Sequence, residues 1–286
     1  MSNETVSRRL LHVLGNSLVC ISGCVAFLDA KEHEQGKRQV FAYTAFAMSF
    51  DDIPALVTAG HVIKDELDPL LQAGHYQGYP VRILECNLCD FMGESRKVLK
   101  PMPFDYSLTK SCSIDQSLQR TSQGLDFGII MTHPFYWRSM EANGITPIPE
   151  ERWVESFEEE FDVYKMIGIP MNATLQQQGL AQPVLYTVTK SDDSGIRIGP
   201  DGQPVWFVGN LPAGVRSVRG VSGGPIFGFR KVAENQWDYR VVAMQSWEDQ
   251  SQGLIYGTPL LSFAPVVSKI VRELREDFRR TQAEQA

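Results

Sequence analysis

Gly220-Val221-Ser222-Gly223-Gly224-Pro225 is the stretch on which the reading of this sequence turns. Serine is a weak nucleophile at its own pKa. A reactive serine needs a base beside it and hydrogen-bond donors where negative charge develops. Gly220, two residues before Ser222, lets the backbone turn its N–H toward such an oxyanion, next to the N–H of Ser222 itself. Gly223 and Gly224 carry no side chains to block a base or a substrate, and they permit a tight turn. Taken alone, the stretch also reads as a plain glycine-rich turn before a strand.

Two other segments set a reactive side chain among apolar or small neighbours. In Leu56-Val57-Thr58-Ala59-Gly60-His61-Val62-Ile63, the small residues before His61 let its ring lie close to backbone. Imidazole is the side chain whose ordinary pKa suits a base near neutrality. His12, His33, His75 and His133 have no such framing. In Gly124-Leu125-Asp126-Phe127-Gly128-Ile129-Ile130 a carboxylate enters an apolar strand, which is costly unless something pairs with it. Orienting an imidazole is one such use; capping a strand end is another. Asp51, Asp52 and Asp65 lie nearer His61 in sequence but in polar, turn-like settings.

In the order His, Asp, Ser, the three segments match the T-A-x-H, D-apolar-small-apolar and G-x-S-G-G-P motifs of the trypsin-like (chymotrypsin-fold) serine peptidases. The sequence resembles that family over roughly residues 17 to 262. The resemblance implies an all-β architecture: two six-stranded antiparallel Greek-key β-barrels, with a short N-terminal helix and a C-terminal amphipathic helix. It implies a cleft site in which Ser222 is the nucleophile, His61 the base and Asp126 the residue orienting His61. Gly220 and Ser222 would form the oxyanion hole, and no cofactor or metal is required. Ala243-Met244-Gln245-Ser246-Trp247 resembles the strand that pairs with substrate backbone, so Ser246, Trp247 and Glu248 are expected at the substrate. Ordinary barrel packing is the other reading of Trp247.

The sequence also departs from the family. Val221 stands where digestive members carry an aspartate that pairs with a freshly cut N-terminus, so activation by such cleavage is not expected. Cysteines that usually flank the histidine and serine are missing; Val62 occupies one such position. The position six before the serine is Arg216, which with Arg219 either favours an acidic substrate residue or simply faces solvent. Glu248 stands where a glycine often follows the tryptophan, so the pocket entrance is expected to be narrowed or rebuilt. With no PDZ-length segment after residue 262, the chain reads as a bacterial-type member under the control of a partner protein.

The 286 residues are 43% apolar, 10% aromatic and 21% charged, with a formal charge of −7. Such a chain is too apolar to be disordered, and it shows no solenoid or collagen period. An isoelectric point near 5.3 without a basic stripe argues against nucleic acid as a partner. No run approaches the ~18 apolar residues of a membrane span. Five cysteines (Cys20, Cys24, Cys86, Cys89, Cys112) are too sparse for a disulfide framework and suit a reducing, cytoplasmic setting. Cys20/Cys24 and Cys86/Cys89 offer a four-thiolate zinc reading, set against buried free thiols. Arg8-Arg9 and the apolar residues up to Cys24 imitate a lipoprotein signal, a minor alternative in which Cys24 is the anchor. His12, Gly15, Asn16 and Ser17 interrupt it.

Strands are expected over 18–27, 39–48, 55–58, 81–84, 127–131, 163–168, 183–189, 196–198, 204–208, 225–229, 239–244 and 254–256. A hairpin turn is expected at Gly199-Pro200-Asp201-Gly202. The glutamate-rich stretch 147–162 reads as a solvated link. Helical spacing marks Val6–Leu14 and the tail from Val266 to Phe278. The resulting plan is an N-terminal helix and first barrel over 1–146, a link and second barrel over 147–262, and a closing helix over 263–286. A peptide-holding protein on the same fold, without turnover, is the competing reading.

Overall fold

Short β-branched and aromatic runs broken by turn residues become fourteen strands in the described residues. The computed structural model describes residues 13–90, 101–115, 125–170, 183–191, 206–212, 214–215, 217–234 and 236–285. The expected N-terminal helix beyond its last turn, the 199–202 hairpin, the 196–198 strand and Arg216 lie outside the described residues.

The first unit contains β1 (Leu18–Leu28), β2 (Glu34–Phe50), β3 (Ile53–Thr58), β4 (His75–Tyr76), β5 (Tyr79–Asp90), β6 (Pro101–Pro103), β7 (Lys110–Asp115) and β8 (Asp126–Met131). They form one antiparallel sheet in the order β4-β5-β1-β2-β3-β8-β7, with β6 on β5. The two-residue turn Asp51-Asp52 joins β2 to β3, closed by the pair Phe50↔Ile53. Both aspartates have positive φ, 49° and 60°, the handedness that matches strand twist in a tight hairpin. This sheet curls around its core but has eight strands rather than the expected six, and in the described residues it is not closed. The extra strands are short: β4 and β6 have two and three residues, below the length that a hydrophobic pattern reveals.

The second unit is the expected closed six-stranded barrel, β10-β11-β14-β13-β12-β9. Its strands are β9 (Val163–Gly168), β10 (Val184–Lys190), β11 (Phe207–Asn210), β12 (Pro225–Ala233), β13 (Gln236–Asp249) and β14 (Leu254–Pro259). Met166, Val188, Val221, Ile226, Ala243 and Ile255 fill its interior. A larger core runs from the first sheet through Phe227, Val241 and Met244 to Phe263 and Val267 of the C-terminal helix Leu260–Gln285. The helix starts directly after β14, three residues before the expected boundary at 263. Phe263 stacks on Phe127 at 5.4 Å.

The acidic link is fastened on both sides rather than simply solvated. Ile148 exchanges backbone hydrogen bonds with Ala47 and Ser49 of β2, and the N–H of Val154 donates to Val241 of β13. Its charges are paired with opposite ones on the barrel: Arg152 with Asp238 at 2.6 Å, Glu160 with Lys190 at 3.0 Å and Glu159 with Arg230 at 3.1 Å. Each such surface pair contributes only about 0–1 kcal/mol.

Candidate active site

β3 ends at Thr58, and the chain turns at Ala59-Gly60 into a π-helical turn, Val62–Leu67, that begins directly after His61. Gly60 is required here. A Cβ at Gly60 would lie 2.2 Å from the Ile114 carbonyl oxygen and 2.8 Å from that of Phe127. The missing side chain lets the histidine segment settle on β7 and β8. Asp126 opens β8, 0% exposed, and its carboxylate is fully engaged by one residue. The His61 backbone N–H donates to Oδ1 at 2.9 Å, and Nδ1 of the ring lies 2.8 Å from Oδ2. A carboxylate accepting from Nδ1–H selects the tautomer whose Nε2 carries the lone pair that can take a proton. The ring is partly open to solvent.

The second barrel contributes to the same neighbourhood. The Ser246 hydroxyl lies 2.9 Å from that of Thr258 and 3.4 Å from the Asp126 carbonyl oxygen, and the Thr258 hydroxyl donates to that oxygen at 3.1 Å. A β-bulge between Gln245 and Trp247 on the β14 side re-aims Ser246 inward. The Ser222 hydroxyl donates to the Ser246 carbonyl at 3.4 Å. Ser246 therefore touches both Ser222 and Asp126, and Asp126 holds His61.

The turn carrying Ser222 is set by apolar packing. Val221 is fully buried in the second-barrel core. Backbone bonds run from Val221 N–H to Val218 (2.9 Å), Gly223 N–H to Gln245 (2.8 Å) and Gly224 N–H to Val221 (2.7 Å). A Cβ on Gly223, whose φ is +90°, would come within 2.2 Å of the Thr58 hydroxyl. No acceptor among the described residues engages the N–H of Gly220 or Ser222. Across the interface, the Thr44 hydroxyl of β2 donates to the Gly220 carbonyl at 2.9 Å and accepts from the N–H of Ile169 at 2.9 Å; Thr58 donates to the Thr44 carbonyl at 2.7 Å. Thr44, Thr58 and Thr258 are all buried polar residues. Sequence reasoning missed the role of all three. The available signal was a hydroxyl inside each otherwise apolar run.

β12 pairs with β13 only as far as Pro225↔Met244, and β13 continues to Asp249. Beyond the two bonds of Gln245, the edge from Ser246 to Glu248 has no strand on that side among the described residues. Trp247 is 46% exposed and packs on Tyr256 at 4.6 Å between ring centres, so its outer face is open while its inner face is barrel packing. The Glu248 carboxylate crosses to the segment leading to Ser222. It accepts from the Ser217 hydroxyl and the Val218 N–H, both at 2.7 Å, and from the Gln250 amide at 2.9 Å. Burial, and then the Glu248 charge, push the Tyr186 phenol above its ordinary range. Arg219 is exposed.

The thiols do not form a common site. Register pairs Cys20 with Cys89, Cys24 with Glu85 and Gly23 with Cys86, which puts Cys86 on the opposite face of the sheet from Cys20 and Cys89. All five cysteines are free. Burial pushes the Cys86 thiol up to about 12, and that of Cys20 well above its ordinary value. No cluster of three or more potential metal ligands occurs among the described residues.

No protein-family model matches the sequence, and no curated protein does. Solved structures do. The scabies mite inactivated protease paralogue S-I1 superposes with a TM-score of 0.50 at 13% identity, over 91% of this chain and 96% of that one. The fold is that of the chymotrypsin-like serine proteases. Two further chymotrypsin-like structures are more distant. The serine endoprotease from Yersinia pestis gives 0.46 at 11% identity, over 95% of this chain and 67% of that one. The protease Anisep from Arthrobacter nicotinovorans gives 0.43 at 13% identity, over 84% and 89%. His61 and Asp126 come from the curled sheet and Ser222 from the turn entering the closed barrel, and Ser246 bridges the two sides.

Proposed function

We propose that this chain is a serine endopeptidase whose triad is Ser222, His61 and Asp126. The observation that carries the reading is the buried Asp126 carboxylate holding His61 through two hydrogen bonds, together with a serine turn whose Gly220 and Ser222 N–H groups have no acceptor among the described residues. In the reaction, Oγ of Ser222 attacks the scissile carbonyl carbon while Nε2 of His61 takes its proton. The N–H groups of Gly220 and Ser222 hold the oxyanion. Collapse of the tetrahedral intermediate expels the amine, which leaves with the proton from His61. Water, activated by the same imidazole, then releases the acyl group and restores Ser222. Substrate backbone adds as a strand along Ser246 to Glu248, on the side of β13 away from β14, where no strand pairs with it among the described residues.

The same fold carries an inactivated paralogue in the scabies mite, so fold alone does not decide activity. The side chains favour turnover over a silent scaffold. Five free thiols suit a reducing compartment, and the cytoplasm is the proposed location. A fluorophosphonate probe tests the reading: the wild type is labelled, and Ser222→Ala is not. An unlabelled, folded wild type overturns it. In a peptide-cleavage assay, loss of the nucleophile is expected to cost about 10⁶ in turnover.

A further inference from the structure

Away from the cleft, a cavity of about 360 Å³ opens where the C-terminal helix meets the far end of β8. Ile53, Pro54, Met131 and the Trp137 ring give it apolar walls. Arg138, from the helix Pro134–Ala142, and Arg275 and Arg279, from the C-terminal helix, also line it, with Asp52 as the one carboxylate. None of these three arginines has a carboxylate partner among the described residues, although their neighbours on the C-terminal helix do: Arg272 pairs with Asp51 and Arg280 with Asp277. Three guanidinium charges against one carboxylate leave the mouth with two positive charges in excess. Thr132, 4% exposed, and Trp137, 7% exposed, bury their hydroxyl and indole N–H behind this wall, without a hydrogen-bond partner among the described residues.

We propose that this cavity binds a small organic phosphate monoester with an apolar or aromatic body. Near pH 7 such a group carries about −1.5 to −2 charge and three acceptor oxygens, which matches the charge excess and the guanidinium donors. Planar guanidinium forks bind phosphate oxygens two at a time. The apolar walls take the body of the ligand, and the volume falls in the ~300–1,000 Å³ range of small-molecule sites. The site is independent of the peptidase reading, since it shares no residue with the cleft.

Calorimetry with phenyl phosphate, inorganic phosphate and phenol on the full chain tests this. Saturable binding of one phenyl phosphate per chain is expected, at least ~10-fold tighter than either fragment. Arg138→Gln/Arg275→Gln should weaken it about 10-fold or more. Unchanged melting curves show that the variants are folded, and Arg279→Gln serves if the double variant is not. Absence of saturation overturns the proposal, as does equal binding by the arginine variants. Phenol binding as tightly as phenyl phosphate, or inorganic phosphate alone doing so, also overturns it.

Discussion

The two halves of this molecule solve the problem of a sheet's edges differently. The second unit closes six strands on themselves and, among the described residues, leaves the stretch of β13 from Ser246 to Glu248 without a strand on one side. The first stays an open, eight-stranded sheet whose ends are the two-residue β4 and the six-residue β7. Each half also secures its part of the site in its own way. The open sheet fixes His61 through two hydrogen bonds to one buried carboxylate. The closed barrel fixes Ser222 by burying its neighbour Val221 in the core. Polar geometry tolerates no substitution of the acceptor, whereas apolar packing tolerates no charge. Variants in the first half should therefore lose rate at little cost in stability, and those in the second should lose stability first.

Asp126→Asn breaks the first device with the largest expected effect. The amide leaves the fold in place but presents an N–H to the ring and favours the wrong tautomer. Peptide-cleavage turnover should fall by about 10⁴. A melting temperature that falls as steeply as the rate would mean that Asp126 is chiefly structural. Val221→Asp breaks the second device. An unpaired charge in a closed apolar core costs about 3–5 kcal/mol, which urea unfolding would measure; a neutral result would show that the turn is held by something other than packing.

Thr44→Val probes the seam between the halves. It leaves the Gly220 carbonyl and the Ile169 N–H without their partner, at about 1–3 kcal/mol. Fluorophosphonate labelling should slow along with the loss in unfolding free energy, because both groups flank the nucleophile turn. The smallest change is expected for Glu248→Gly. It removes the carboxylate tied to Ser217 and Val218, so kcat/KM for peptides with bulky residues before the cut should rise relative to small ones. An unchanged preference would show that the Glu248 bridge does not narrow the substrate's entry.

What the sequence disclosed follows from how local each signal is. His61, Asp126 and Ser222 each sit in a short motif with small neighbours, and the closed barrel follows from the strand runs expected between residues 163 and 256. Thr44 and Thr258 are single hydroxyls whose partners, Gly220 and Asp126, lie more than a hundred residues away, so no window of sequence contains both ends of the bond. Strands β4 and β6 are too short to show a period. Glu248 stood out as a departure from glycine, but the reach of its carboxylate back to residues 217 and 218 is a property of the assembled barrel. Arg216, the other expected pocket residue, lies outside the described residues.

The hydroxyl of Thr258 grips the main chain of Asp126 from the strand that feeds the C-terminal helix. The acid's seat is thus bolted from the opposite body. If heat or denaturant slides the two bodies apart by even a hydrogen bond's length, the acid loses its footing while every strand on either side is still paired. Competence should vanish at a lower temperature than secondary structure does, so that a loosened copy is mute before it is unfolded.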